Sequence, residues 1–147
     1  MSSAGRRVLS VLVALAGGCA DFEAVEDPTF GLPDIVVANP SFSRDVGPIL
    51  DLRCATGGCH TVRRRQGEMA LESSVAYDEI VGVRAVTNPA FLRVRPGDAD
   101  SSWLVRRIQP DPALRPGFTR MPLATTPLTP NQIATIMNWV EQGAVRD

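Results

Sequence analysis

The stretch Arg53-Cys54-Ala55-Thr56-Gly57-Gly58-Cys59-His60 sets two thiols a short loop apart and follows the second at once with the chain's one histidine. Two cysteines so placed can add to the two vinyl groups on one edge of a porphyrin. A histidine beside the second is then held beneath the ring, where a nitrogen reaches the iron. The motif predicts one covalently attached haem c, with Cys54 and Cys59 as attachment points and His60 as an iron ligand. Its spacer, Ala55 with Thr56, Gly57 and Gly58, is longer than the usual two residues. The vinyl groups are a fixed distance apart, so the additional residues must bulge outward, and Gly57 and Gly58 reach the required backbone angles without steric cost. Two other readings of these residues stay open. In an oxidising compartment Cys54 and Cys59 form a disulfide beside an incidental histidine. A Cys/Cys/His zinc site is the other, although no second cysteine pair or second histidine completes a tetrahedral set.

The third cysteine has its own explanation. Arg6-Arg7, an apolar stretch over residues 8–16 and the small pair Gly17-Gly18 lead up to Cys19. Nine apolar-core residues suit a secretory signal, which uses ~7–15, and fall short of the ~20 needed to span a bilayer. Residues 1–18 are therefore expected to be a signal peptide. Leu15-Ala16-Gly17-Gly18-Cys19 resembles the lipobox of bacterial lipoproteins, which implies cleavage before Cys19 and a lipid on its sulfur. Ordinary cleavage without a lipid is the alternative. Twin-arginine export fits less well, because a haem attached after translocation needs an unfolded chain to cross first. The expected location is the periplasm or cell envelope, with the membrane reached through a lipid anchor.

Removing the 18-residue leader from 147 residues leaves 129, enough for one compact domain. The formal charge of −1 becomes −3 once Arg6 and Arg7 are gone, so no basic field invites nucleic acid. Nothing resembles a phosphate loop, a Ser/His/Asp set or a paired-carboxylate site, and catalysis by side chains is not expected. Residues 19–40 read as a lipidated N-terminus and flexible acidic linker, carrying Asp21, Glu23, Glu26, Asp27, Pro28, Pro33 and Asp34. A short strand at residues 35–38 is compatible with that reading.

Residues 41–147 form the expected domain, all-α, with short helices joined by Pro/Gly loops. Val46, Ile49, Leu50 and Leu52 predict a helix that starts at about Val46, tolerates Pro48 in its first turn and ends near Arg53, delivering Cys54. Ser73 or Ser74 is expected to cap a second helix through Val81, and Asp98 or Asp100 a third that carries Trp103, Leu104 and Ile108. The last helix is the clearest. Thr129 is its N-cap, Pro130 its first residue, Gln132 completes a capping box and Gly143 terminates it, while Ile133, Ile136, Met137 and Val140 make its apolar stripe.

An iron held by His60 has a further axial position, and Met69, Met121 and Met137 are the candidates beyond the leader. Met69 lies nine residues past His60 and is poorly placed to pass round the porphyrin edge. Met137 belongs to the helical stripe and reads as packing. Met121 sits in the loop Gly117-Phe118-Thr119-Arg120-Met121-Pro122-Leu123, which can be laid across a flat cofactor, and it is the predicted second ligand. An open or water-ligated iron is the alternative. Histidine with methionine raises the reduction potential and leaves no vacant site, which suits electron transfer over oxygen chemistry.

Several segments in order, Phe42-Ser43-Arg44-Asp45-Val46-Gly47-Pro48-Ile49-Leu50, the Cys54–His60 motif, Val94-Arg95-Pro96-Gly97-Asp98, Arg120-Met121-Pro122 and Met137-Asn138-Trp139-Val140-Glu141-Gln142-Gly143, resemble a class I cytochrome c domain. More narrowly, they are similar to the cytochrome c-like domains of exported proteins from myxobacteria and planctomycetes. The resemblance covers residues 41–144. It implies a small helical haem-binding fold whose first and last helices pack together, with Cys54 and Cys59 carrying the haem, His60 as proximal and Met121 as distal ligand, and unidentified redox proteins as partners. The long spacer departs from the family's commonest motif.

The expected function is one-electron transfer by a single-haem carrier that is not itself an enzyme. A haem-based sensor or structural module without electron turnover, and a haem-free helical lipoprotein with a Cys54–Cys59 disulfide, are the competing readings. Arg63-Arg64-Arg65 reads as a solvated charge run, as do Arg106 and Arg107, with contact to haem propionates or an acidic redox partner as the functional alternative. Tyr77, Trp103 and Trp139 read as aromatic core.

Overall fold

The computed structural model describes residues 29–123 and 125–147. The leader, Cys19 and the first part of the 19–40 segment lie outside the described residues. A π-helical turn, Phe42–Val46, runs directly into α1, Gly47–Arg53; α2 spans Ser73–Ile80, α3 Trp103–Ile108 and α4 Pro130–Glu141. Single 3-10 turns occur at Gln66–Glu68 and Pro112–Leu114. There is no strand among the described residues, and residues 81–102 fold back on themselves through isolated bridges such as Val81 with Val94 and Leu92 with Ser102. The domain is therefore helical, as expected, with short elements and long connections. Among the described residues no helix is long and apolar enough to cross a membrane.

Local chemistry explains the helix ends. Pro48 falls in the first turn of α1, where a missing N–H costs least. The turn before α1 was not expected; Ser41 caps it by accepting from the Arg44 N–H, and the Ser41 N–H donates to Asp45 at 2.7 Å. α2 has Glu72, not a serine, at its N-cap, because the Ser73 N–H is satisfied from another element, by Asp51 Oδ1 at 2.7 Å. Ser102 stands at the N-cap of α3 in place of Asp98 or Asp100, without a side-chain capping bond, because its hydroxyl donates to Asp98 O at 2.8 Å. Asp98 instead accepts from the Ser101 N–H at 2.8 Å, closing the turn that precedes the helix. α4 follows the sequence closely. The Thr129 hydroxyl accepts from the Gln132 N–H and the Gln132 side chain accepts from the Thr129 N–H, both at 3.1 Å.

The core joins the beginning of the domain to its end. The π-helical turn packs against α4, with the Phe42 ring 5.3 Å from Trp139 and 5.4 Å from Tyr77. Trp139 Nε1 donates to Val145 O at 3.0 Å, and the Tyr77 hydroxyl to Ala144 O at 3.0 Å, so both aromatic polar tips are satisfied. Around them Val46, Leu50, Ile80, Val94, Val105, Ile136 and Val140 are fully buried.

Residues 29–40 differ from the tether expected there, because they lie along α4 and are hydrogen-bonded to it. Asp34 accepts from Thr129 Oγ1 at 2.7 Å, Val37 N–H donates to Thr135 Oγ1 at 3.1 Å, and Asn138 Nδ2 donates to Val37 O at 2.9 Å. Gln142 Nε2 reaches Ala38 O at 2.6 Å. The polar side chains of α4 thus serve as a rail for extended backbone, and no strand forms at residues 35–38. In urea denaturation Thr129→Ala should lose about 1–2 kcal/mol of stability as a cap deletion, and Trp139→Ala about 3–5 kcal/mol as a core deletion.

Candidate haem site

α1 carries Cys54 at its C-terminal end, where the Cys54 N–H donates to Leu50 O at 2.9 Å. The loop that follows closes on itself: the His60 N–H donates to Cys54 O at 3.2 Å and the Cys59 N–H to Thr56 O at 2.8 Å. Gly57 and Gly58 have φ of +48° and +112°, the backbone freedom expected of the bulge. At Gly58 that angle, and not lack of room, excludes a side chain, since an added Cβ would meet only Arg64 Nε at 3.9 Å.

His60 is buried, and its Nδ1 lies 2.7 Å from Gln66 O, presented by the 3-10 turn. A carbonyl only accepts, so Nδ1 carries the proton and the lone pair stays on Nε2. Burial holds the imidazole pKa below its usual value; the hydrogen bond to Gln66 O works against that lowering, and the Arg107 and Arg93 charges add to it. The Leu71 N–H donates to His60 O at 2.6 Å and anchors the other side of the residue.

Cys54, Cys59, His60 and Met121 all line one cavity of about 610 Å³, within the ~300–1,000 Å³ of cofactor-sized pockets. Leu71, Trp103, Leu104, Ile108 and Phe118 supply apolar wall. The two cysteines are free thiols. Cys54 is buried and its thiol is pushed up to about 12 by desolvation, whereas Cys59 is exposed. Among the described residues no three His, Cys, Asp or Glu side chains gather around one point.

Met121 is held in place by its own backbone, whose N–H donates to Arg107 O at 2.7 Å. Two guanidinium crosslinks run beside it, Arg107 Nε to Thr119 O at 3.1 Å and Arg120 Nε to Ile108 O at 2.9 Å. They tie the 117–123 loop to α3. Met69 also lines the cavity. Met137 lies outside this cavity, with its sulfur 3.0 Å from Gln109 Nε2.

The arginines carry the main departures from the sequence reading. Arg63 and Arg64 are exposed, and Arg65 pairs with Glu79 at 2.7 Å. Arg106 and Arg107 are not a solvated run; both are half-buried, because their guanidiniums replace missing helix-to-loop backbone pairing. Arg106 lies over Phe91 at 4.7 Å, and Arg107 lines the cavity. Arg53 and Arg93, which no motif singled out, line it too, at 3 % and 6 % exposure. Arg93 donates to Glu79 O at 2.7 Å and to Glu68 O at 3.2 Å. No carboxylate lines the cavity among the described residues. Trp103 is a wall residue whose Nε1 donates to Thr87 Oγ1 at 3.0 Å, whereas Tyr77 and Trp139 belong to the core alone.

Comparison of the chain with protein-family models, curated proteins and solved structures finds no match.

The two thiols should differ sharply in reactivity. At about pH 8 a maleimide should modify Cys59 and spare Cys54, because the thiolate is the nucleophile and burial keeps Cys54 protonated. Peptide mapping of the labelled apoprotein reads this directly, and equal labelling would contradict the buried position of Cys54.

Proposed function

We propose that the chain is an exported, lipid-anchored, class I-like cytochrome c that carries single electrons between redox proteins at the cell envelope. Cys54 and Cys59 hold one haem, and His60 and Met121 ligate its iron. The observation that supports this reading most is that Met121, from a distant loop, lines the same largely apolar cavity of cofactor size as Cys54, Cys59 and His60.

Each residue has a role that follows from its setting. The two thiols each add S–H across one vinyl group, which forms a thioether and needs no oxidant. Cys54 arrives from the end of α1 and Cys59 from the glycine bulge, so the attachment points share a short, closed loop. His60, with Nδ1 committed to the Gln66 carbonyl, offers Nε2. Met121 offers its sulfur from a loop pinned to α3. Leu71, Trp103, Leu104 and Ile108 exclude water from between them. When bound, the haem supplies the one-electron couple of its iron, and the chain supplies ligation, orientation and a dry surround. The signal-like leader and the lipobox-like Leu15–Cys19 segment support export, which puts the chain where bacteria attach this kind of haem.

Expression beside haem-attachment machinery tests the reading. The protein should keep its colour after denaturation and washing, and its intact mass should include both the haem and the lipid. Colourless material with Cys54 and Cys59 oxidised to each other would overturn it. Met121→Ala should abolish the sulfur-to-ferric-iron absorption band, while Met69→Ala and Met137→Ala should leave it. Carbon monoxide binding by the native reduced protein would point instead to a sensor with an open iron site.

A further inference from the structure

Arg53 joins three parts of the chain. It ends α1 immediately before Cys54, is almost fully buried and lines the cavity. Its guanidinium donates to Thr126 O and, at 3.1 Å, to Pro127 O, in the segment between Met121 and α4. The Phe30 ring covers the same guanidinium at 4.1 Å. Phe30 in turn belongs to the strap of residues 29–40, which is fixed near it by Gln132 Nε2 on Thr29 O at 3.5 Å and by Thr129 Oγ1 on Asp34.

A cation taken out of water depends on the groups that replace its hydration, so weakening one contact loosens the others. The Phe30 face and the two carbonyls are such groups. Arg53 therefore transmits the position of the strap to the segment that follows Met121. Phe30 is 44 % exposed, so it is not a core residue, and its packing on a cation is its most specific contact.

We propose that Phe30 and Arg53 form a clasp that holds the segment after Met121 against the Cys54 end of α1, making the N-terminal strap a positioning element of the haem site. The clasp sets how readily the Met121 sulfur is displaced by an external ligand. This rests on the haem reading above.

The test uses the full chain made beside haem-attachment machinery. Covalent haem is scored first, by colour after denaturation and washing, and the ferric protein is then titrated with imidazole while the sulfur-to-iron band is followed. Phe30→Ala should bind imidazole about tenfold more tightly, the scale of one cation–π contact. Phe30→Tyr, which keeps a ring on the cation, should behave as the unaltered chain does. Asp34→Ala, which releases the strap at a different point, should shift imidazole affinity in the same direction as Phe30→Ala. A merely structural role would lower the melting temperature without moving imidazole affinity. Unchanged affinity in both alanine variants, with helical circular dichroism intact, would overturn the clasp and leave the haem reading standing. If Phe30→Ala does not fold, Asp34→Ala decides alone. A colourless unaltered chain would overturn both readings.

Discussion

The hydrogen bond between His60 Nδ1 and the Gln66 carbonyl is the contact on which the site depends. It selects one tautomer, turns the ring within a buried setting and leaves Nε2 as the available donor atom. For it to form, the chain must leave Cys59, pass through the exposed 61–68 segment and return a carbonyl to the ring six residues later. That return is secured by the Gln66 N–H on Cys59 O and the Leu71 N–H on His60 O, so the imidazole is framed by backbone on both sides. Desolvation, with a smaller push from two nearby guanidiniums, lowers its pKa against the pull of the same hydrogen bond. The histidine half of the site is thus a local structure, built within 18 residues from Cys54 to Leu71.

The Met121 side of the cavity is assembled differently. Its loop has little regular structure and is held to α3 by the Met121 N–H and the side chains of Arg107 and Arg120. Each guanidinium supplies planar donors that an irregular backbone cannot find in a helix or sheet ladder. This gives a chain without lysine a use for its arginines beyond surface charge. The acceptors here are backbone carbonyls, which any residue carries, and this is why the anchoring is hard to see in one-dimensional form.

The sequence was most informative where a feature is local. The capping box at Thr129 and Gln132, Pro48 in a first turn and the glycine bulge are complete within a few residues, and each is found where spacing placed it. The caps of α2 and α3 were misread because Ser73 and Asp98 spend their hydrogen bonds on other partners, one of them across elements. Likewise, Asp34 and the acidic, Pro-containing composition around it pointed to a tether, while its partners Thr129 and Asn131 lie far along the chain. Arg53 and Arg93 carried no signal, since an arginine beside a cysteine or within an apolar run is ordinary until the fold buries it. The candidate ligands were legible because their chemistry is rare: one histidine and three cysteines in the whole chain.

The cavity wall bears Arg53, Arg93 and Arg107, with the Glu79 carboxylate 3.8 Å from Arg93, and three guanidiniums on one wall have an electrostatic sense. A group that gains an electron inside it becomes less positive in a field set by cations, so the added electron is stabilised by the surroundings. Arg53 and Arg93 are withdrawn from solvent, beyond easy reach of mobile ions, and dissolved salt screens them far less than it screens Arg63 and Arg64. The wall therefore favours added negative charge on whatever it encloses, and it keeps that bias across a wide range of ionic strength.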